Sequence, residues 1–288
     1  MKRFLLSLLL LLFFANAHGG DYSEKTELHQ FIKELVAEHG FDETFLRHVF
    51  DQAVYKQSIV DAISRPAEKT LRWKEYRKIF LTDSRIRNGV KFWKSNRETL
   101  ERAEEAYGVP PSVVVAVIGV ETLYGKHMGN YRVLDALTTL AFDYPKRGKF
   151  FRRELKEFLL LVREEEQDIT KLLGSYAGAM GYGQFIASSY RMYAIDFDND
   201  GTRDIWLNPV DAIGSVANYL KRHGWRKGEP ITGRARVSGD QSVHLFKNDL
   251  KPSITVAELA SNGVIPLDSF DERLKAAPIS LTGKSGTE

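Results

Sequence analysis

The sequence has 288 residues, with 41 Lys+Arg, 38 Asp+Glu and no cysteine. The lack of cysteine excludes disulfides, thiol catalysis, cysteine metal sites and a lipid-modified N-terminal cysteine. Setting aside residues 1–17 removes Lys2 and Arg3 but no acid, and the remaining 39 basic and 38 acidic residues give no global argument for a nucleic-acid partner.

Lys2 and Arg3 precede a run from Phe4 to Phe14 that is apolar apart from Ser7, and Ala15-Asn16-Ala17 comes next with small residues at the two positions a signal peptidase reads. Residues 1–17 are therefore expected to be a signal peptide cleaved after Ala17, too short to span a bilayer as a helix. No other stretch is long and apolar enough for a transmembrane helix. The exported chain of 271 residues is expected to be soluble and to hold together by core burial alone.

Most of the exported chain reads as helix. Ser23 opens a pattern with Leu28, Phe31, Ile32 and Leu35 at helical spacing and Gly40 as its stop; Asp42 caps a second, carrying Phe45, Val49 and Phe50. A third runs from about Glu68 with Trp73, Tyr76 and Phe80, and a fourth from about Ile86 to Tyr107, broken by Gly108-Val109-Pro110-Pro111. Val113 to Val120 is apolar on every face, and the prolines at its entrance favour a helix in the middle of the core. Helical patterns resume at Leu134–Phe142, Lys149–Glu166 and Pro209–Arg222. After Gly224 the short alternation Ile231–Val237 predicts a small β element, a helical pattern returns at Val256–Ala260, and the tail from Pro278 is polar. The expected fold class is mainly α, with a helical unit over 18–225 and a β-like or irregular segment over 226–288.

Three clusters carry chemistry. Glu121 ends the apolar run in Gly119-Val120-Glu121-Thr122. A carboxylate at the end of a buried helix loses hydration, which raises its pKa and suits a general acid; the plainer alternative is a helix-terminal Glu paired with a Lys or Arg. Gly174 to Phe185 holds four glycines in ten positions together with Ser175 and Gln184. That composition suits sugar recognition by backbone, amide and hydroxyl groups, and it lacks the Gly-Lys-Ser/Thr ending of a phosphate loop. Asp196-Phe197-Asp198-Asn199-Asp200-Gly201-Thr202 matches the first half of an EF-hand loop, with the Thr202 carbonyl as a further ligand. Leu207 stands where the last glutamate belongs, and the next carboxylate is Asp211. Calcium is favoured over a surface Asp/Asn turn, because these acids repel unless a cation neutralises them.

Taken together, Tyr76-Arg77-Lys78-Ile79-Phe80, the Gly-Val-Glu-Thr stretch, Tyr144-Pro145-Lys146-Arg147, the glycine-rich run, the acidic loop and Asp211–Tyr219 resemble the B-type lytic murein transglycosylases of the lysozyme-like superfamily. The match covers about half the chain, and several long motifs in order make it specific. The resemblance implies a lysozyme-like helical core with extra helices and a small β element. It implies Glu121 as the catalytic acid/base, Tyr76, Ser175, Gln184 and Tyr219 lining a glycan cleft, and Lys146 and Arg147 meeting the peptide stems. It further implies structural calcium on Asp196, Asp198, Asp200, Thr202 and Asp211, no organic cofactor, a periplasmic location, peptidoglycan glycan strands as substrate, and other cell-wall enzymes as candidate partners.

No matched motif places a second acid beside Glu121, as an ordinary glycosidase would require. The resemblance implies that Glu121 protonates the MurNAc–GlcNAc glycosidic oxygen while the N-acetyl group assists departure. It then takes the muramic C6 hydroxyl proton as a 1,6-anhydro ring closes. A non-catalytic peptidoglycan-binding scaffold and a hydrolysing muramidase are the alternatives. Relatives are expected to continue past the Glu288 position into an aromatic-rich stretch with a Tyr-Asn-x-Ser motif and a last helix, so the 288-residue chain is expected to be less stable and less active than an extended one.

Overall fold

Twelve α-helices and six short strands form among the residues described by this computed structural model, 21–65, 71–246 and 250–281. The expected signal peptide at 1–17, the expected helix start at Glu68 and the tail residues 282–288 lie outside the described residues.

Helix α1 (Thr26–His39) buries Leu28, Phe31, Ile32 and Leu35 as one stripe and stops at Gly40, whose φ of 63° is the left-handed conformation that ends helices. It begins after Lys25, not at Ser23. Helix α2 (Glu43–Asp51) starts where Asp42 accepts the Phe45 N–H at 2.7 Å. Its buried stripe is Leu46, Val49 and Phe50; Phe45 falls off that stripe and is 45% exposed. Helix α3 (Gln57–Ser64) buries only Ile59, which is why no apolar period announced it. Helix α4 (Trp73–Phe80) has no buried residue, and its aromatics lie against one another, with Tyr76 and Phe80 centred 5.1 Å apart. The expected stretch from Ile86 to Tyr107 is two helices, α5 (Asp83–Ser95) and α6 (Arg97–Tyr107). They break at Asn96, whose side-chain amide donates to the Phe92 carbonyl at 2.8 Å and competes with helix continuation.

Helix α7 (Pro111–Thr122) is the all-apolar run, with proline in its first turn. It buries Val114, Val115, Ile118, Gly119 and Thr122, but Val120 is 47% exposed, so the run is not central. The centre belongs to α8 (Val133–Asp143), where every residue from Val133 to Ala141 is buried. Asp135 and Thr139 are polar and buried within it, and both find partners inside the protein. Asp135 accepts from Arg132 at 2.7 and 2.9 Å and from the Val54 N–H at 2.9 Å, and Thr139 accepts from the Lys56 N–H at 3.2 Å. Helix α9 (Gly148–Glu164) packs along α8 through Phe151, Leu155, Phe158 and Leu159.

Strand β1 (Tyr131–Arg132) pairs antiparallel with β2 (Leu173–Gly174), Tyr131 opposite Gly174, and so fastens the start of α8 to the entrance of the glycine-rich run. Helices α10 (Ala187–Tyr193) and α11 (Pro209–Arg222) flank the acidic loop. The small β element is two further antiparallel pairs: β3 (Ala235–Val237) with β5 (Val264–Pro266), and β4 (Ile254–Thr255) with β6 (Lys275–Ala276). Helix α12 (Val256–Ser261) comes directly after β4 and is opened by a Thr255–Glu258 capping box. The strand expected from Ile231 pairs only from Ala235.

Candidate active site

Glu121 sits in the last turn of α7, where helix geometry leaves carbonyls without partners. The turn is held on several sides. Thr122 is 1% exposed; its hydroxyl donates to the Tyr182 carbonyl at 2.9 Å and accepts the Gly125 N–H at 3.0 Å, joining the helix end to the glycine-rich run. Arg85 of α5 donates Nη1 to the Gly119 carbonyl at 2.6 Å. The chain then passes through Leu123 and Tyr124, both left-handed with φ of 52° and 61°, conformations that cost a non-glycine residue about 1–2 kcal/mol each. The turn carries the Tyr124 ring back over α7. A Cβ on Gly119 would lie 2.6 Å from Tyr124 Oη and one on Gly89 2.5 Å from it, so a side chain at either position would force the Tyr124 ring to shift.

The Glu121 side chain is exposed, yet burial of its surroundings pushes its carboxyl above the ordinary glutamate value. Both hold at once: the outer edge meets solvent, while the protein around the rest withholds water from the charged form. Glu121 makes no hydrogen bond or ion pair among the described residues. The next acids along the chain are engaged elsewhere, Asp135 with Arg132 and Asp143 with Lys25. Glu121 is an open carboxyl with its pKa raised by burial, and no carboxylate among the described residues contributes to that shift.

The glycine-rich run folds as a tight antiparallel bridge, Met180 and Phe185 exchanging backbone hydrogen bonds at 2.9 Å around Gly181-Tyr182-Gly183-Gln184. Gly181 requires glycine: its φ is 69°, and a Cβ there would meet the Ile205 carbonyl oxygen at 2.5 Å. Gln184 takes φ of 50°; its amide nitrogen donates to the Met128 and Gly181 carbonyls, and its oxygen accepts no hydrogen bond among the described residues. Ser175 Oγ accepts the N–H groups of Ala177 and Ala179, which leaves its own proton to donate. Tyr219 of α11 joins this group through Phe185, ring centres 5.7 Å apart, and stacks on His223 at 4.0 Å.

Contacts therefore link Glu121, through Thr122, to Gln184 and Tyr219. Tyr76 is tied in less directly: it packs on Phe80, which lies beneath the Arg85 guanidinium at 5.3 Å, and Arg85 holds Gly119. Lys146 and Arg147 are exposed at the start of α9, Arg147 lying over the Phe150 ring at 4.3 Å, and among the described residues no hydrogen bond, ion pair or ring contact ties either of them to Glu121. Thr122, Arg85 and Tyr124 are absent from the residues that the sequence singles out. A polar Thr closing an apolar helix was the one available signal, whereas Arg85 and Tyr124 act through tertiary contacts that no local spacing announces.

In the acidic loop, carboxylate oxygens of Asp196, Asp198 and Asp211 lie within 4.8 Å of one another. Asp211 is 0% exposed; its two oxygens accept the Phe197 and Asp204 N–H groups at 2.7 and 2.8 Å. Its carboxyl is nevertheless pushed up, mainly by burial, with the charges of Asp198 and Asp196 adding to the shift. Such crowding of acids is what a cation would relieve, and the all-oxygen donor set fits calcium. Asp200 stands outside this trio: its Oδ1 accepts the Thr202 N–H at 2.9 Å, which ties the carboxylate back to the loop's own turn.

Residues 23–288 match the family described as Transglycosylase SLT domain. The chain is 42% identical over 277 residues to membrane-bound lytic murein transglycosylase B of Escherichia coli K12, covering 93% of this chain and 75% of that protein. It resembles the solved structure of catenated lytic transglycosylase SltB1 from Pseudomonas aeruginosa, with a TM-score of 0.88 and 47% identity over 93% of this chain and 88% of that one. It also resembles Escherichia coli Slt35 in complex with calcium, with a TM-score of 0.84 and 41% identity over 93% and 84% of the two chains. The helical architecture is thus that of the lysozyme-like lytic transglycosylases.

Proposed function

The chain belongs to the transglycosylase SLT domain family, and from that premise we propose that it is a lytic murein transglycosylase cleaving the MurNAc–GlcNAc β-1,4 bond of peptidoglycan. The observation that carries the reading is Glu121, a carboxyl with its pKa raised by burial and no second carboxylate acting on it among the described residues. One group must then serve twice. Protonated Glu121 donates to the departing glycosidic oxygen, and the substrate's own N-acetyl group supports the cationic centre that a second carboxylate supports in ordinary glycosidases. Glu121, now ionised, accepts the C6 hydroxyl proton as that oxygen closes the 1,6-anhydro ring. Proton and bond count balance without water.

Ser175 offers a hydroxyl proton and Gln184 a carbonyl oxygen to sugar substituents, while Tyr219 and Tyr76 offer ring faces. Lys146 and Arg147 would meet the carboxylates of peptide stems. Asp196, Asp198 and Asp211 would hold calcium, with Asp200 and the Thr202 carbonyl as further ligands, and the ion would stabilise the loop between α10 and α11 without entering the chemistry. Export to the periplasm through the signal peptide puts the enzyme where this substrate lies. Mass spectrometry of digested sacculi tests the reading. Products ending in 1,6-anhydro-MurNAc support it, reducing MurNAc ends would mean a hydrolase, and an absence of products would mean a binding protein.

A further inference from the structure

The last turn of α7 has a property that catalysis by Glu121 alone does not require: it is clamped from the face opposite the carboxylate. Side-chain directions two apart on a helix differ by about 200°, so the Tyr124 ring, which fills the space a Gly119 Cβ would take, lies behind Glu121, and Arg85 comes from the same neighbouring helix α5 to the Gly119 carbonyl. Two side chains converge there. Arg85 grips the Gly119 carbonyl, a group that already accepts the Leu123 N–H at 3.2 Å and gains a charge-assisted bond from the guanidinium. Tyr124 wedges its ring between Gly119 of α7 and Gly89 of α5, one turn beyond Arg85 on the same helix, and lies against Phe92 with ring centres 5.6 Å apart. The ring reaches that slot because Leu123 and Tyr124 are both held left-handed, and local strain of this kind persists only where the surroundings over-determine it.

We propose that Arg85 and Tyr124 are positioning residues for Glu121. They fix the rotation and depth of the helix end that carries it, and they do so without touching substrate. The inference rests on Glu121 being the acid/base. A carboxyl that first donates a proton to one oxygen and then removes one from another must be placed for both, so the clamp contributes to the chemical step and not to glycan affinity.

The test is steady-state kinetics on a soluble peptidoglycan glycan oligomer, with melting curves for each variant. Arg85→Met keeps the length and the packing over Phe80 but removes the donor, and its kcat is expected to fall on the order of tenfold with KM unchanged. Arg85→Lys, which restores a cationic donor, is expected to recover most of that loss. Tyr124→Leu empties the wedge while leaving Arg85 intact; it is expected to lose kcat in the same way and carries the test should Arg85→Met not fold. A kcat within about twofold of wild type in the folded variants, a loss expressed in KM instead, or a lysine variant no better than methionine overturns the proposal. Wild type and Glu121→Gln run alongside: an inactive wild type or an active Glu121→Gln refutes the functional reading itself, whereas normal controls with unaffected Arg85 and Tyr124 variants refute only the clamp.

Discussion

Replacing Asp211 by asparagine tests the metal loop, because two separate contributions of that carboxylate can be read apart. Its oxygens satisfy two backbone donors, the N–H groups of Phe197 and Asp204, at a site with no solvent exposure. Asparagine keeps one acceptor oxygen and turns an amino group toward the other donor. One buried N–H is then unpaired, at about 1–3 kcal/mol. Removing a negative charge also relieves the repulsion from Asp196 and Asp198 that helps push the Asp211 carboxyl up, so the cost lies toward the lower end of that range. At roughly 2–4 °C per kcal/mol for a protein of this size, the chelated mutant melts a few degrees below chelated wild type. Calcium separates the two further. A ligand at a hundredfold excess over its dissociation constant stabilises the native state by about 2.7 kcal/mol, roughly another 5–10 °C, and a site short of one carboxylate forgoes much of it. Circular dichroism melts of both proteins, in excess calcium and in chelator, give the four midpoints. A calcium increment in Asp211→Asn equal to that of wild type, or no increment in wild type, refutes a metal site built on Asp211.

Thr122→Val keeps the shape of the side chain but leaves the Tyr182 carbonyl and the Gly125 N–H without their partner. It is expected to cost about 2–4 kcal/mol and to lower sacculus clearance, and an unchanged melting curve contradicts it. Glu121→Gln is expected to raise the melting temperature at neutral pH. The folded-state pKa of Glu121 lies above its unfolded value, so the unfolded chain ionises first and stability falls as pH rises from the ordinary glutamate value through the raised one. The mutant escapes that loss; below the ordinary glutamate pKa its advantage disappears, and an equal offset at low pH contradicts the assignment of the shift to Glu121. Wild-type turnover is expected to fall on the alkaline side as Glu121 loses its proton, and a rate that keeps rising through that range contradicts the acid role. Gly181→Ala combines a positive φ with a methyl driven onto the Ile205 carbonyl, and is expected to lose several kcal/mol together with activity, as read by melting and clearance assays.

Helices with a clear stripe and a stop were legible: α1 to Gly40, α2 from Asp42, and α11 from Pro209 to Arg222. Those decided by tertiary contact were not. Asn96 ends α5 through its own side chain, α3 buries a single residue, and α8 is central although Asp135, Thr138 and Thr139 give it a polar appearance. The site divides in the same way. Glu121, the glycine-rich run and the acidic trio are contiguous in sequence or carry a recognisable spacing. Thr122, Arg85 and Tyr124 take their parts from a carbonyl on another element and from two glycines 30 residues apart, Gly89 and Gly119, which only the folded chain brings together.

That Glu121 alone moves both protons is tested most directly by turnover of purified sacculi by Glu121→Gln, with melting and sacculus binding measured on the same preparation. The amide preserves shape but has no proton to give, so the variant is expected to fold, to bind sacculi and to release no 1,6-anhydro products. A folded Glu121→Gln that still releases them at an appreciable fraction of the wild-type rate would contradict that role of Glu121 and transfer the chemistry to another group.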